Sequence, residues 1–197
     1  MKRIALLLFL ALPLAAADFE AGVRHVVVKT LGDSGELELP LSRGFAATGE
    51  VFWSKRVSTM LAASFVNPEA ILRNEVDLGT LGLDVYSLTA RWHVAPDARL
   101  SGFAGAGPAI VRIGNLDDQF GDVYEADFDN ETTLALDGGL RYRLTPRVAL
   151  ELDVLYLPLD AKPIVRKATD PNVQLEETLG IDPLIVSVGA SWRFGGR

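Results

Sequence analysis

The chain has no cysteine among its 197 residues, only two histidines and, after residue 17, no apolar run long enough for a helix to cross a membrane. Each absence excludes something. Without cysteine there is no disulfide framework, so packing alone must hold the fold. His25 and His93 lie on separate segments, and nothing supplies a third and fourth ligand at a recognisable spacing, so neither a metal site nor a cofactor is expected. Without an apolar helix, residence in a membrane would have to be by strands.

What is present begins with "MKRIALLLFLALPLAAA", residues 1–17. It has a Lys2-Arg3 start, an apolar run from Ile4, and small residues Ala15 and Ala17 where a signal peptidase reads. The run is short for a bilayer span, so export and cleavage are expected, leaving one domain over residues 18–197. With Lys2 and Arg3 removed, 17 basic and 26 acidic residues remain, a formal charge of −9 that argues against nucleic acid as a partner.

Eight segments alternate apolar and polar residues between turn signals: 19–31, 42–54, 57–66, 83–95, 99–113, 131–144, 147–160 and 183–194. The last is the plainest. In "IDPLIVSVGASWRF", Leu184, Val186, Val188, Ala190, Trp192 and Phe194 share one face, while Ile185, Ser187, Gly189, Ser191 and Arg193 share the other. At about 3.3 Å per residue and a tilt of about 40°, such segments reach across a hydrocarbon core.

The connections alternate in length. "SKR" around Lys55, "PDA" at 96–98 and "TP" at 145–146 make tight hairpins, whereas 32–41, 67–82, 114–130 and 161–182 are long. Short turns at one end and long loops at the other are the habit of outer-membrane barrels, which keep the short turns in the periplasm.

Aromatic residues follow the same division. Trp53, Trp92, Trp192, Tyr142 and Phe194 fall on apolar faces beside the short turns or the chain end, and Phe45, Phe65, Tyr86 and Tyr156 fall on those faces beside the long loops. Leu88, Leu136, Leu150, Leu152 and Val188 lie between them. Two aromatic rings around an aliphatic band fit the two interfaces of a bilayer. The expected fold is therefore all-β: an eight-stranded antiparallel up-and-down transmembrane β-barrel with its apolar face on lipid.

The lumen of such a barrel is just wide enough to be filled by side chains. Toward the turn end the inward positions are Glu50, Asp137, Glu151 and Asp153 against Arg91, Arg141, Arg143 and Arg193, which predict a mutually neutralised polar plug. Toward the loop end they are Leu83, Val85, Leu155, Leu157 and Ile185, which predict an apolar cup for an alkyl chain or small lipophile. Ions would be desolvated at the top and blocked at the bottom. Pro108 removes a ladder donor in the fifth strand; it marks either a place for sideways exit or simply the end of a strand below a loop.

Four stretches bear a family likeness. "GFAGAGP" (102–108), "LDVYSLTARWHV" (83–94), "VALELDVLYLPLD" (148–160) and the closing "IDPLIVSVGASWRF" (181–194) resemble, in order and spacing, the OmpW family of small outer-membrane barrels. The resemblance covers roughly residues 67–194. It implies a monomeric eight-stranded barrel with a narrow hydrophobic lumen that passes small apolar compounds, set among outer-membrane lipid and lipopolysaccharide. The chain departs from the family pattern by carrying Gly195, Gly196 and Arg197 after the terminal aromatic.

No catalytic residues are expected. His93 lies by a periplasmic turn with no serine two residues along, so a Ser-His-acid set of the kind found in lipid-modifying barrels is not legible. The segment 114–130 holds Asp117, Asp118, Asp122, Glu125, Asp127 and Asp129 without Lys or Arg; it reads as a solvated loop, with a weak divalent-cation site as the sharper alternative. The leading expectation is a barrel that binds and passes small hydrophobic molecules, with lateral exit into the bilayer as a variant. The alternative is a structural or surface-interaction barrel with an inert lumen and functional acidic loops. A soluble lipocalin-like binder is the third reading.

Overall fold

The computed structural model describes residues 18–31, 37–38, 40–72, 76–116, 124–127, 130–161, 164–167, 170–176, 179–180 and 182–194. Eight strands make its frame: β1 Asp18–Thr30, β2 Ser42–Phe52, β3 Val57–Val66, β4 Val76–Val94, β5 Leu100–Leu116, β6 Glu131–Arg143, β7 Val148–Tyr156 and β8 Pro183–Phe194. Each pairs antiparallel with the next in sequence. The last pairs with the first, from Phe19 opposite Phe194 to Thr30 opposite Pro183, so the sheet closes and its edges disappear. The expected eight-stranded antiparallel barrel is the observed fold.

The two faces divide as the alternation implies. Val188, Trp192 and Phe194 of β8 are exposed, as are Trp53, Trp92, Leu88, Leu136, Leu150 and Leu152, whereas Ile185, Ser187 and Ser191 are buried. Exposed leucine and tryptophan in such number would be a liability in water; on a closed barrel they are the surface that lipid covers. At the turn end Phe19 and Phe194 lie 6.0 Å apart between ring centroids. At the loop end Phe45 and Phe65 lie 5.3 Å apart, and Tyr86 meets Phe65 edge-on at 6.1 Å.

The three short connections are ordered by local hydrogen bonds. Trp53 N and Ser54 N donate to Val57 O at 3.0 and 3.1 Å, and Leu144 N and Thr145 N donate to Val148 O at 2.9 and 3.1 Å. In each of these two turns a hydroxyl accepts from the backbone two and three residues on: Ser54 Oγ from Arg56 and Val57, Thr145 Oγ1 from Arg147 and Val148. The third turn bends at Ala95, at φ 52°, and Ala98 N donates to Ala95 O at 3.0 Å. Lys55 Nζ, 2.9 Å from Asp97 Oδ1, joins two of the turns and holds that carboxyl below its ordinary range.

Beyond the barrel's loop end the sequence reading falls short. β4 starts at Val76 and β5 runs to Leu116, and Glu69–Leu72 pairs with β4 and with Leu37–Glu38. Ile164–Lys167 pairs with Asp170–Glu176 and with Tyr124–Asp127 in a separate three-stranded sheet. The sequence carries no clear period-two pattern over these segments to mark them as half-buried strands. At the other extreme, β7 ends at Tyr156, ahead of the expected 160, because Pro158 has no donor to continue the ladder. Residues 1–17, Gly195 to Arg197, and Asp117, Asp118, Asp122 and Asp129 of the acidic segment lie outside the described residues.

Candidate functional site

Alternation turns every second residue inward, and depth sorts what arrives there into three layers. Nearest the turns is a charged layer. Above it is a collar of small and hydroxyl residues that includes Thr48, Ala62, Ser64, Ser87 and Ser187. Toward the loops is an apolar cluster with Val26, Val28, Val66, Leu83, Val85, Val111, Leu155, Leu157 and Ile185. All five residues expected to form the apolar cup are buried here, none above 7% exposure. Leu155 and Ile185 stand directly opposite each other on β7 and β8.

The charged layer is one continuous network. Arg24 bridges Glu151 and Asp153, its Nη1 2.9 Å from Asp153 Oδ2. Arg91 Nη2 lies 2.5 Å from both Asp137 Oδ2 and Asp153 Oδ2. Arg141 Nη2 touches three carboxylates: Glu50, Glu20 at 3.1 Å and Glu151 at 2.6 Å. Arg193 Nε donates to Glu20 Oε1 at 2.6 Å. Aromatic faces support the cations. Arg91 stacks 4.2 Å above Phe103, while Arg141 and Arg193 lie 5.1 and 4.7 Å from the centre of Phe52.

Seven of the eight residues expected in the plug enter this network; Arg143 does not. Its Nη2 donates to Pro96 O at 2.6 Å, at the turn, because its position lies below the layer of carboxylates. Two members were missed, Glu20 and Arg24. The signal was in "FEAGVRHVVVKT", where Glu20, Gly22 and Arg24 share one parity, but the run Val26-Val27-Val28 hides the alternation. With them the network holds five carboxylates and four guanidinium groups, one negative charge in excess.

Glycine makes this density possible. Gly105 stands between Arg91 on β4 and Asp137 on β6, each its cross-strand partner. A Cβ there would meet Asp137 Oδ1 at 2.2 Å and Arg91 Cγ at 2.9 Å. Second-neighbour strands stand about 9.6 Å apart, and a residue without a side chain between them leaves room for their side chains to meet directly. Gly139 serves Phe103 in the same way; its Cβ would meet the ring at 2.6 Å. Within "GFAGAGP" Gly105 has this role, whereas at Gly107 a Cβ would meet the backbone, Leu88 O, at 2.0 Å.

Two arrangements resemble reactive centres, and their geometry differs from one. His93 Nε2 lies 2.8 Å from Ser58 Oγ and 3.2 Å from Glu50 Oε1, and Ser58 Oγ donates to Glu50 Oε1 at 2.5 Å. Serine thus reaches His93 from the neighbouring strand, which the sequence did not reveal. In a hydrolytic triad the acid holds the ring nitrogen away from the serine; here both groups crowd one nitrogen, and all three residues are buried in the charged layer. Glu20, Glu50 and Glu151 bring carboxylate oxygens within 4.8 Å of one another, as a cation site would. The position between them is taken by Arg141 Nη2. His25 points outward and His93 inward, so the two histidines cannot share a metal ion.

A closed cylinder of eight strands with an aliphatic girdle between aromatic ends and a charged interior defines a class: the outer-membrane β-barrel of Gram-negative type. The chain belongs to the OmpW family, whose model matches residues 21–194. No curated protein matches it. Among solved structures, OprG from Pseudomonas aeruginosa is similar at a TM-score of 0.78 and 14% identity, covering 92% of this chain and 97% of that one. AlkL, determined in DMPC bilayers, gives 0.69 at 20% identity, covering 91% of each chain. E. coli outer membrane protein W gives 0.59 at 17% identity, covering 91% of this chain and 98% of that one.

Proposed function

We propose that this barrel takes up a small hydrophobic molecule in the apolar loop-end half of its lumen and releases it through the wall. The observation that carries the reading is the vertical division of the lumen: an apolar cluster stands above a closed layer of ion pairs. A molecule entering from outside meets hydrocarbon side chains first and cannot continue straight down. The family's character, a narrow hydrophobic lumen, supports the same reading.

The proposed exit is beside Pro108. The β4–β5 ladder pairs Ser87 with Ala109 and resumes at Ala90 with Ala106, so Leu88 and Thr89 have no partner on β5 beside the proline. This interruption lies just above the charged layer, at the floor of the apolar half.

On the outside, the proposed partners are outer-membrane lipid and lipopolysaccharide. Lys29 and Arg43 are exposed on the outward face of adjacent strands near the loop end, where phosphate headgroups lie. Residues 1–17 serve in this reading as a cleaved export signal.

The test is Leu155→Arg combined with Ile185→Glu, which sets an opposed ion pair in the cup. Binding of N-phenyl-1-naphthylamine to the barrel in bilayers is expected to be abolished while heat-modifiable gel mobility persists. Unchanged binding would overturn the hydrophobic cup. Deletion within 114–130 separates the alternative, in which the acidic segment and not the lumen acts: the cup reading expects probe uptake to survive it.

A further inference from the structure

Between the apolar half and the charged layer lies a cavity of about 20 Å³, room for one water-sized group. Its walls are of two kinds. Val26, Leu155 and Ile185 line it from the apolar side, and Ser64, Ser87 and Ser187 supply hydroxyls.

These hydroxyls are notable for what they do not do. The three serines are each at least 95% buried, yet their side chains make no hydrogen bond among the described residues. Arg91 and Asp137 line the same cavity, and each retains a buried atom, Nη1 and Oδ1, with no hydrogen-bond partner among the described residues. Buried polar groups are nearly always satisfied, and a cluster that is not marks a place for something else.

We propose, building on the uptake reading above, that this collar seats the head of the transported molecule, and that the ligand class is an uncharged alkyl alcohol. A hydroxyl both donates and accepts, matching the serine hydroxyls in a wall that also holds guanidinium and carboxylate groups. Its size suits the cavity, and the alkyl chain behind it extends along Val26, Leu155 and Ile185. The same wall holds Arg24 and Arg91 beside Asp137 and Asp153, so a charged head of either sign meets a like charge there. An alkane fills the cup but leaves the collar unsatisfied.

The experiment measures displacement of N-phenyl-1-naphthylamine from the full barrel in lipid nanodiscs by decane, 1-decanol and decanoate, each corrected for partition into the bilayer. The expected result is that 1-decanol displaces the probe at least about fivefold more tightly than decane, the worth of one or two hydrogen bonds, with decanoate weaker than the alcohol. In Ser87→Ala/Ser187→Ala the alcohol should fall to the level of the alkane while decane is unchanged. Those hydroxyls have no protein partner to lose, so the variant is expected to fold. Equal displacement by decane and 1-decanol in the native barrel would overturn the proposal and leave the collar a site for water. Failure of the native barrel to bind the probe at all would instead overturn the uptake reading, and this one with it.

Discussion

Arg24 and Glu151 form an ion pair across Gly189, which is the cross-strand partner of both. A Cβ at that position would meet Val23 O at 2.1 Å and Arg24 Cγ at 2.6 Å. Gly189→Ala must therefore shift backbone as well as the guanidinium, and should destabilise the barrel by about 1–3 kcal/mol, the usual cost of overpacking. Urea unfolding in phospholipid vesicles, followed by gel mobility, reads it; an unchanged midpoint would show that the pair does not need the gap.

Arg141 is the group that separates Glu20, Glu50 and Glu151. Arg141→Leu leaves three carboxylates together in a buried layer and is expected to cost about 3–5 kcal/mol. Adding Glu151→Leu should recover part of that loss, so that the double variant is more stable than the two single effects summed. The double variant should also raise ion conductance in planar bilayers above background. Conductance that stayed at background would mean that the layer is not what closes the barrel.

Leu152 lies exposed in the aliphatic band, and Trp192 exposed at its turn-end border. An arginine at 152 faces the middle of the bilayer and is expected to cost about 2–4 kcal/mol, whereas Trp192→Arg, at the interface, should cost no more than about 1 kcal/mol from its charge. Equal costs in the same vesicle assay would displace the girdle from the position assigned to it.

Pro108 interrupts the β4–β5 ladder beside Leu88 and Thr89. Pro108→Ala restores a donor and should slow transfer of a bound probe from the barrel into surrounding lipid by several-fold, with its equilibrium affinity unchanged. Stopped-flow transfer to quencher-bearing vesicles measures this. An unaltered transfer rate would move the exit elsewhere.

Much of this molecule is legible in one dimension. The strands inside the membrane carry a period of two because one face meets lipid and the other the lumen, and that pattern places β1 to β8 to within a few residues over the spanning region. Ile164–Lys167 is a strand without that pattern in its sequence, and only the structure reveals it. Arg143 was assigned inward correctly, but to the wrong depth, because parity tells the face and not the neighbour.

The sequence by itself determined the class of fold, the lipid-facing surface and the charge character of the two ends of the lumen, since each follows from local alternation and turn spacing. Only the tertiary structure decided who pairs with whom: that Ser58 reaches His93, that Arg141 fills the space among three glutamates, and that Gly105 and Gly189 are gaps through which side chains two strands apart meet. Those contacts depend on strand register and on closure of β1 against β8. Both are properties of the whole sheet, absent from any single segment.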